Sequence, residues 1–277
     1  MVQTLRRGAA ENRRTGGGRR PGMKRSALDR LTGGSHAGLL LSCYLESDDA
    51  RAKAALMRQA ISALPQAAGP YRLAYQRWLN ATQADGSSAR VEKFVTVRQR
   101  MALGLGRGSV TETGVALHHT YGVPLLPGTA LKGLAAHYCD QVWGSADPSF
   151  RASRRNPAQP AGCHYRVLFG ETEEAGHIVF YDAWIDPATL NRSLQLDVMT
   201  PHHTKYNLDG SVAPSDLDDP IPVPFLSVHG RFRIALECDV KSNEGHRWAQ
   251  LALEILIGAL KNWGLGGKTS SGYGRLI

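Results

Sequence analysis

GLGGKTSSGYGRLI, Gly264–Ile277, gathers five glycines, one lysine, three hydroxyl residues and a tyrosine. Read as a phosphate loop, it would make the molecule a nucleotide-binding α/β protein; read as a turn from helix to strand, it closes a different kind of sheet. A Walker-type loop needs G-x4-G-K-[ST], and Gly267-Lys268-Thr269 fits its end, but Asn262 stands where the first glycine belongs. Such a loop follows a strand and opens a helix, whereas this one follows a helical pattern. The dinucleotide pattern fails too, because Gly264-x-Gly266 meets Thr269 where the third glycine would be. What remains is a glycine-rich turn. Without Cβ atoms in the way, successive amides can turn to one side and form a nest for phosphate oxygens. Lys268 adds charge, and Thr269, Ser270 and Ser271 add donors. An extended RNA backbone would be held there by shape and charge, and a plain hairpin is the competing reading.

Upstream of the turn is the clearest helix: Trp248, Leu251, Ala252, Ile255, Leu256, Ala259, Leu260 and Trp263 recur at 3,4 spacing and form a core face. Phe225–Asp239 reads as one strand, Leu194–Met199 as another and HIVFYDAWI, His177–Ile185, as a third. Pro127-Gly128-Thr129 announces a helix with Thr129 as N-cap and a stop near Gly144. Phe94, Val95, Val97 and Met101 predict a strand from Val91 that ends in Gly104–Gly108. Before it, apolar spacing predicts a helix that ends at Pro65, Gly69 and Pro70, then a second one over Tyr71–Ala84. From Val91 the order is strand, helix, two or three strands, helix, strand. That order predicts an α+β chain built as a single ferredoxin-like (RRM-like) domain on the split βαβ plan. It spans 91–277 with insertions at about 145–164 and 187–222, behind a helical extension over 35–90.

Composition narrows the class. The chain has 277 residues, 42% of them apolar, and no apolar run near the ~20 needed to span a bilayer, so a soluble, cytoplasmic protein is expected. Cys43, Cys139, Cys163 and Cys238 form no CxxC pair, which argues against a zinc knuckle or a disulfide framework. The net charge of +9 is unevenly spread: residues 1–34 carry nine Lys/Arg against Glu11 and Asp29, leaving 24 basic and 22 acidic groups beyond them. The basic start has too little apolar content to fold and is expected to be a mobile tail.

A second stretch, Gly106–Cys139, contains Gly122, Pro124, Pro127, Gly128, Thr129, Leu131, Lys132 and Gly133, which fill the run G-x-P-x-x-P-G-[ST]-x-[LI]-[KR]-G. Gly264, Gly266, Lys268, Thr269, Gly272, Tyr273 and Gly274 fill G-x-G-x-[KR]-[ST]-x-G-[YF]-G with one extra residue. With both motifs in this order, the sequence resembles the RAMP superfamily of CRISPR effector subunits. LDVMTPHHTKY, Leu196–Tyr206, and IPVPFLSV, Ile221–Val228, resemble the Cas7-like sixth-subunit family of the type III-B (Cmr) complex.

The resemblance implies a non-catalytic subunit near the 3′ end of the CRISPR RNA, beside the repeated Cas7-like backbone subunit and the first Cmr subunit, with target RNA as a further partner. It implies no cofactor and no metal. It assigns RNA contact to Thr129 and Lys132 at a helix mouth, where Gly128 opens the turn and free N–H groups attract phosphate. Arg107 lies at a strand end, and Gly264, Gly266, Gly267, Lys268, Thr269, Ser270, Ser271, Gly272 and Tyr273 form the terminal loop. The mouth and the loop are expected to converge on one electropositive shelf. His203 and Tyr206 are candidates for base stacking, and His202 for RNA contact. The pairs His118-His119 and His202-His203 do not suggest a metal, because adjacent side chains diverge in an extended chain. His118, His202 and Tyr206 are also the groups an RNA-cleaving alternative would use. A protein adaptor without RNA contact is the third possibility. Asp197 and Asp209 read as solvated loop carboxylates.

Overall fold

The computed structural model describes residues 36–84, 89–153, 160–201 and 221–277, together with Tyr206, Gly210, Ala213, Ser215 and Asp218. The basic start over 1–34 lies outside them. Helix α1 (Ala37–Cys43) is capped by the His36 ring, which accepts from the Leu39 amide. Helix α2 runs unbroken over Ala50–Thr82, capped by Asp49, with Pro65 and Pro70 inside it. The expected break between two helices is therefore absent. Each interior proline removes a hydrogen bond and costs about 3 kcal/mol, but Ala63, Leu64, Tyr71, Ala74 and Tyr75 on both sides are buried. Tertiary packing of that face outweighs the local penalty.

The main sheet contains β1 (Arg90–Thr96), β2 (Leu125–Leu126), β3 (Ile178–Phe180), β4 (Ala183–Ile185) and β7 (Arg231–Cys238). Its order is β1-β7-β4-β2, with β3 also on β7, and all pairs are antiparallel. Beyond β1, Val97 bridges Leu276, and Thr96 and Ile277 exchange backbone bonds. A separate ribbon pairs β5 (Leu194–Met199) with β6 (Val223–Val228). The single strand expected over Phe225–Asp239 is thus two, divided at Gly230, whose φ of 130° suits glycine.

Alternation along β7 sorts its side chains. Phe232, Ile234, Leu236 and Cys238 are buried in the main core, to which helix α5 (Asn243–Asn262) contributes Ala249, Ala252, Ile255, Leu256, Ala259 and Leu260. Arg233 points the other way, toward α2. It is buried, donates to Thr82, pairs with Glu92 and lies 5.0 Å from the Trp78 ring centre. Trp78 stacks on Trp184 and Trp184 on Tyr71, while the Tyr71 hydroxyl donates to the Ile185 carbonyl at 2.6 Å. A buried Lys53 ties the start of α2 to Asp48 at 2.6 Å and Glu112 at 2.7 Å.

Helix α3 (Gly128–Tyr138) continues through a π-helical turn over Cys139–Trp143 and a last α turn to Ala146. A short helix, α4 (Cys163–Phe169), falls where no element was expected. His177–Ile185 is broken at Tyr181-Asp182, because the Asp182 carboxylate turns to accept the Gly128 amide at 2.7 Å. Among the described residues no helix is long and apolar enough to cross a membrane.

Two glycines of α3 make opposite predictions. A Cβ on Gly128 would stand 2.1 Å from the Phe180 carbonyl oxygen, whereas one on Gly133 would meet nothing within 4 Å. Gly128→Ala should destabilise by about 1–3 kcal/mol through overpacking, and Gly133→Ala should stabilise by about 0.5–1 kcal/mol through helix propensity. Urea unfolding midpoints of the two variants check both.

Candidate nucleic-acid interface

Gly264 ends α5 with its amide bonded to the Ala259 carbonyl, and the chain then turns back on itself in alternating hands. Gly264, Gly266, Lys268, Gly272 and Gly274 have φ of 81°, 93°, 58°, 89° and 78°. Four are glycines, for which this costs little; Lys268 carries a Cβ in the left-handed region. The loop rests on the extended segment after β1. Gly267 donates to Ala102, Gly274 to Arg100 and Leu265 to Gly274, at 2.8 Å each. A short 3-10 turn over Thr269–Ser271 forms the tip, where the amides of Ser271, Gly272 and Tyr273 bond back to Lys268 and Thr269. Among the described residues, the amides of Lys268, Thr269 and Ser270 donate to no protein group. Lys268 and Ser270 are exposed and Thr269 is half-buried, and among the described residues the Lys268 side chain forms no ion pair. Three successive free amides beside one cation are what an anion can use.

Beneath the tip is a brace. Tyr273 donates its hydroxyl to Asp197 at 2.7 Å, and Arg100 Nη1 meets the same carboxylate oxygen at 2.7 Å. Burial pushes the Asp197 carboxyl up, but the bonds from Tyr273 and Arg100 outweigh it and the net shift is down. Tyr273 is pushed up, by burial and by its bond to that anion. Asp197 is therefore a half-buried member of β5, not a solvated loop carboxylate. Asp209 lies outside the described residues. Neither Arg100 nor the adjoining Gln99 was singled out from the sequence, and no spacing signal links Arg100, Asp197 and Tyr273, which three separate elements bring together.

The helix mouth is built differently. Pro127, not Thr129, is the N-cap of α3, and the Gly128 amide belongs to Asp182. Gly128 is buried, so the residue that opens the helix is a packing glycine and its donor is occupied by a carboxylate. Thr129 is exposed and Lys132 half-buried on the next turn. This mouth rests on the turn between β3 and β4, whereas the terminal loop rests on residues beyond β1, with β7 and β1 in between. No hydrogen bond or ion pair among the described residues joins Gly128–Lys132 to Gly264–Tyr273.

Arg107 is exposed at a turn in which its amide bonds to Gly104 at 3.0 Å, and the next turn, Ser109–Glu112, is the one that Lys53 holds through Glu112. His118 packs edge-on to Trp184 and against Tyr121, both with centroids at 4.8 Å, and burial lowers its pKa. Its neighbour His119 is exposed. His202 and His203 lie outside the described residues, while Tyr206 is exposed. Among the described residues no group of three or more His, Cys, Asp or Glu is placed to hold a metal ion.

Comparisons with known proteins agree on the family. The model of the RAMP superfamily matches residues 32–277. The chain is 29% identical over 232 residues to the CRISPR system Cmr subunit Cmr6 of Pyrococcus furiosus, covering 67% of this chain and 66% of that protein. It therefore spans about two-thirds of that relative's length. Among solved structures, the crystal structure of Cmr6 from Pyrococcus furiosus is 26% identical, over 68% of this chain and 97% of that one, with a TM-score of 0.43. The cryo-EM structure of the Type III-B Cmr-beta bound to cognate target RNA is 19% identical, over 75% of this chain and 63% of that one, with a TM-score of 0.51, a likeness of fold. Both motif segments, the helix mouth and the terminal loop, fall inside the stretch that the superfamily model covers, and the chain belongs to the RAMP superfamily.

Proposed function

We propose that the chain is a non-catalytic RNA-binding subunit of a type III-B CRISPR (Cmr) effector, holding the CRISPR RNA near its 3′ end. The observation that carries this reading is the run of amides at Lys268, Thr269 and Ser270 that donate to no described residue, beside a lysine with no ion pair among the described residues, on a loop whose base is fixed by backbone bonds. Such a run recognises a phosphate without reading a base. Thr129, Lys132 and Arg107 are further backbone contacts in this proposal, His202 a further RNA contact, and His203 and Tyr206 are stacking candidates. Gly128 serves the fold. Its partners are the CRISPR RNA, target RNA, the repeated backbone subunit and the first Cmr subunit. The similarity to Cmr6 supports that assembly. Residues 91–277 are proposed as one ferredoxin-like domain, supported by the lateral order Leu276, β1, β7, β4, with α3 and α5 as its two helices.

Lys268→Gly tests the reading with little risk to the fold, because glycine relaxes the left-handed backbone while removing the charge. On single-stranded repeat RNA, the slope of log K against log salt should fall by about 0.7 for one lost phosphate contact. Thermal stability should hold or rise. Lys132→Ala should flatten the slope similarly. If neither variant changes binding, the protein-adaptor reading replaces this one.

Repeat RNA incubated with the full chain in EDTA should stay intact. Site-specific cutting that is lost in His118→Ala or His202→Ala would instead make the chain an endoribonuclease. His118 is held against Trp184 and Tyr121 with its pKa lowered, so its imidazole is neutral near pH 7.

A further inference from the structure

Beside the loop tip is a cavity of about 370 Å³ lined by Gln99, Arg100, Gly272 and Tyr273. That volume lies in the range of small-molecule clefts. Its walls differ from the amide run next to it. The Arg100 guanidinium is already paired with Asp197, so a phosphate entering here would meet a neutralised cation and the carboxylate behind it. Tyr273 gives its hydroxyl to the same carboxylate, leaving a fixed phenol ring in the wall. Gln99 is exposed, and its main chain is held because its carbonyl bonds to the His229 ring at 2.9 Å. Among the described residues the Gln99 side chain makes no hydrogen bond, and its Oε1 lies 3.7 Å from where a Cβ of Gly272 would be. Among the described residues nothing else lies within 4 Å of that point.

A flat ring, a free carboxamide and bare backbone, with the charges cancelled, suit an uncharged planar heterocycle that carries donors and acceptors on its edge. Resting on the RNA-binding reading above, we propose that this cavity receives one unstacked nucleobase of the bound RNA. Its ring lies against Tyr273 and its polar edge meets the Gln99 carboxamide, while the adjoining phosphate sits on the amides of Lys268–Ser270. The loop then holds a nucleotide at two points, one for charge and one for shape. A single strand, whose bases are free to leave the stack, is the form that can enter.

The test measures binding of the full chain to single-stranded RNAs of about eight nucleotides, intact or with one base at a time removed to leave the abasic ribose. For the unaltered chain, removal at one position should weaken binding about ten- to a hundredfold, the range of base stacking on an aromatic side chain. Gln99→Ala and Tyr273→Leu should bind intact RNA more weakly and lose their sensitivity at that position. Lys268→Gly should weaken every RNA by one common factor. Gln99 is exposed and outside the core, so Gln99→Ala remains decisive even if Tyr273→Leu misfolds. If Gln99→Ala keeps the full sensitivity, or no position is sensitive, while Lys268→Gly still weakens binding, the cavity proposal is overturned and the RNA reading stands. If Lys268→Gly and Lys132→Ala both bind like the unaltered chain, the RNA reading itself fails.

Discussion

Residues Val97–Leu103 are hydrogen-bonded on both sides, and the rest of the site depends on that arrangement. On one side Val97 donates to Gly230, and Met101 exchanges bonds with Val228. On the other, Arg98 donates to Arg275, while Arg100 and Ala102 accept from Gly274 and Gly267. This extended segment is therefore the spine shared by the main sheet, the β5–β6 ribbon and the terminal loop. An unpaired buried peptide group costs about 1–3 kcal/mol, so the loop cannot lift from the spine without exposing several bonds together. Rigidity at the tip follows, and with it a set of amides that need no reordering to meet a ligand.

Two buried cations do comparable work elsewhere. Lys53 and Arg233 have little contact with water, and each is matched by acidic or hydroxyl partners, Lys53 by nearby Asp48 and distant Glu112, and Arg233 by Glu92 and Thr82 from distant parts of the chain. Removing one partner from such a cluster leaves a charge stranded, which costs far more than the intact pair contributes. Lys53 fixes the turn that follows Arg107, and Arg233 fixes the end of α2 against the sheet. Both therefore act more on the alignment of surfaces than on total stability.

The sequence made some of this legible. The α5 stripe reads directly as helix, because its apolar period survives in the core. The two glycine motifs stand out because their spacing is unusual, and the left-handed positions of Gly264, Gly266, Gly272 and Gly274 explain why those residues are there. Other features were hidden for physical reasons. Pro65 and Pro70 read locally as a stop, but packing on both sides carries the helix through them. The strand over 225–239 has one continuous apolar pattern, and only the backbone at Gly230 shows that it serves two sheets. Asp182 gave no sign that it would fill the mouth of α3. Arg100, Asp197 and Tyr273 come from three elements, and no local pattern encodes a contact of that separation.

The alternation of hand at Gly264, Gly266 and Lys268, resumed at Gly272 and Gly274, has a wider consequence. A backbone that alternates left-handed and ordinary conformations is neither helix nor strand, and neither can be reached from it by small adjustments. Drift in the intervening side chains then leaves the outline intact, whereas any branched residue at a mirror-handed position would break it at once. A segment of this kind diverges in letters while keeping its shape.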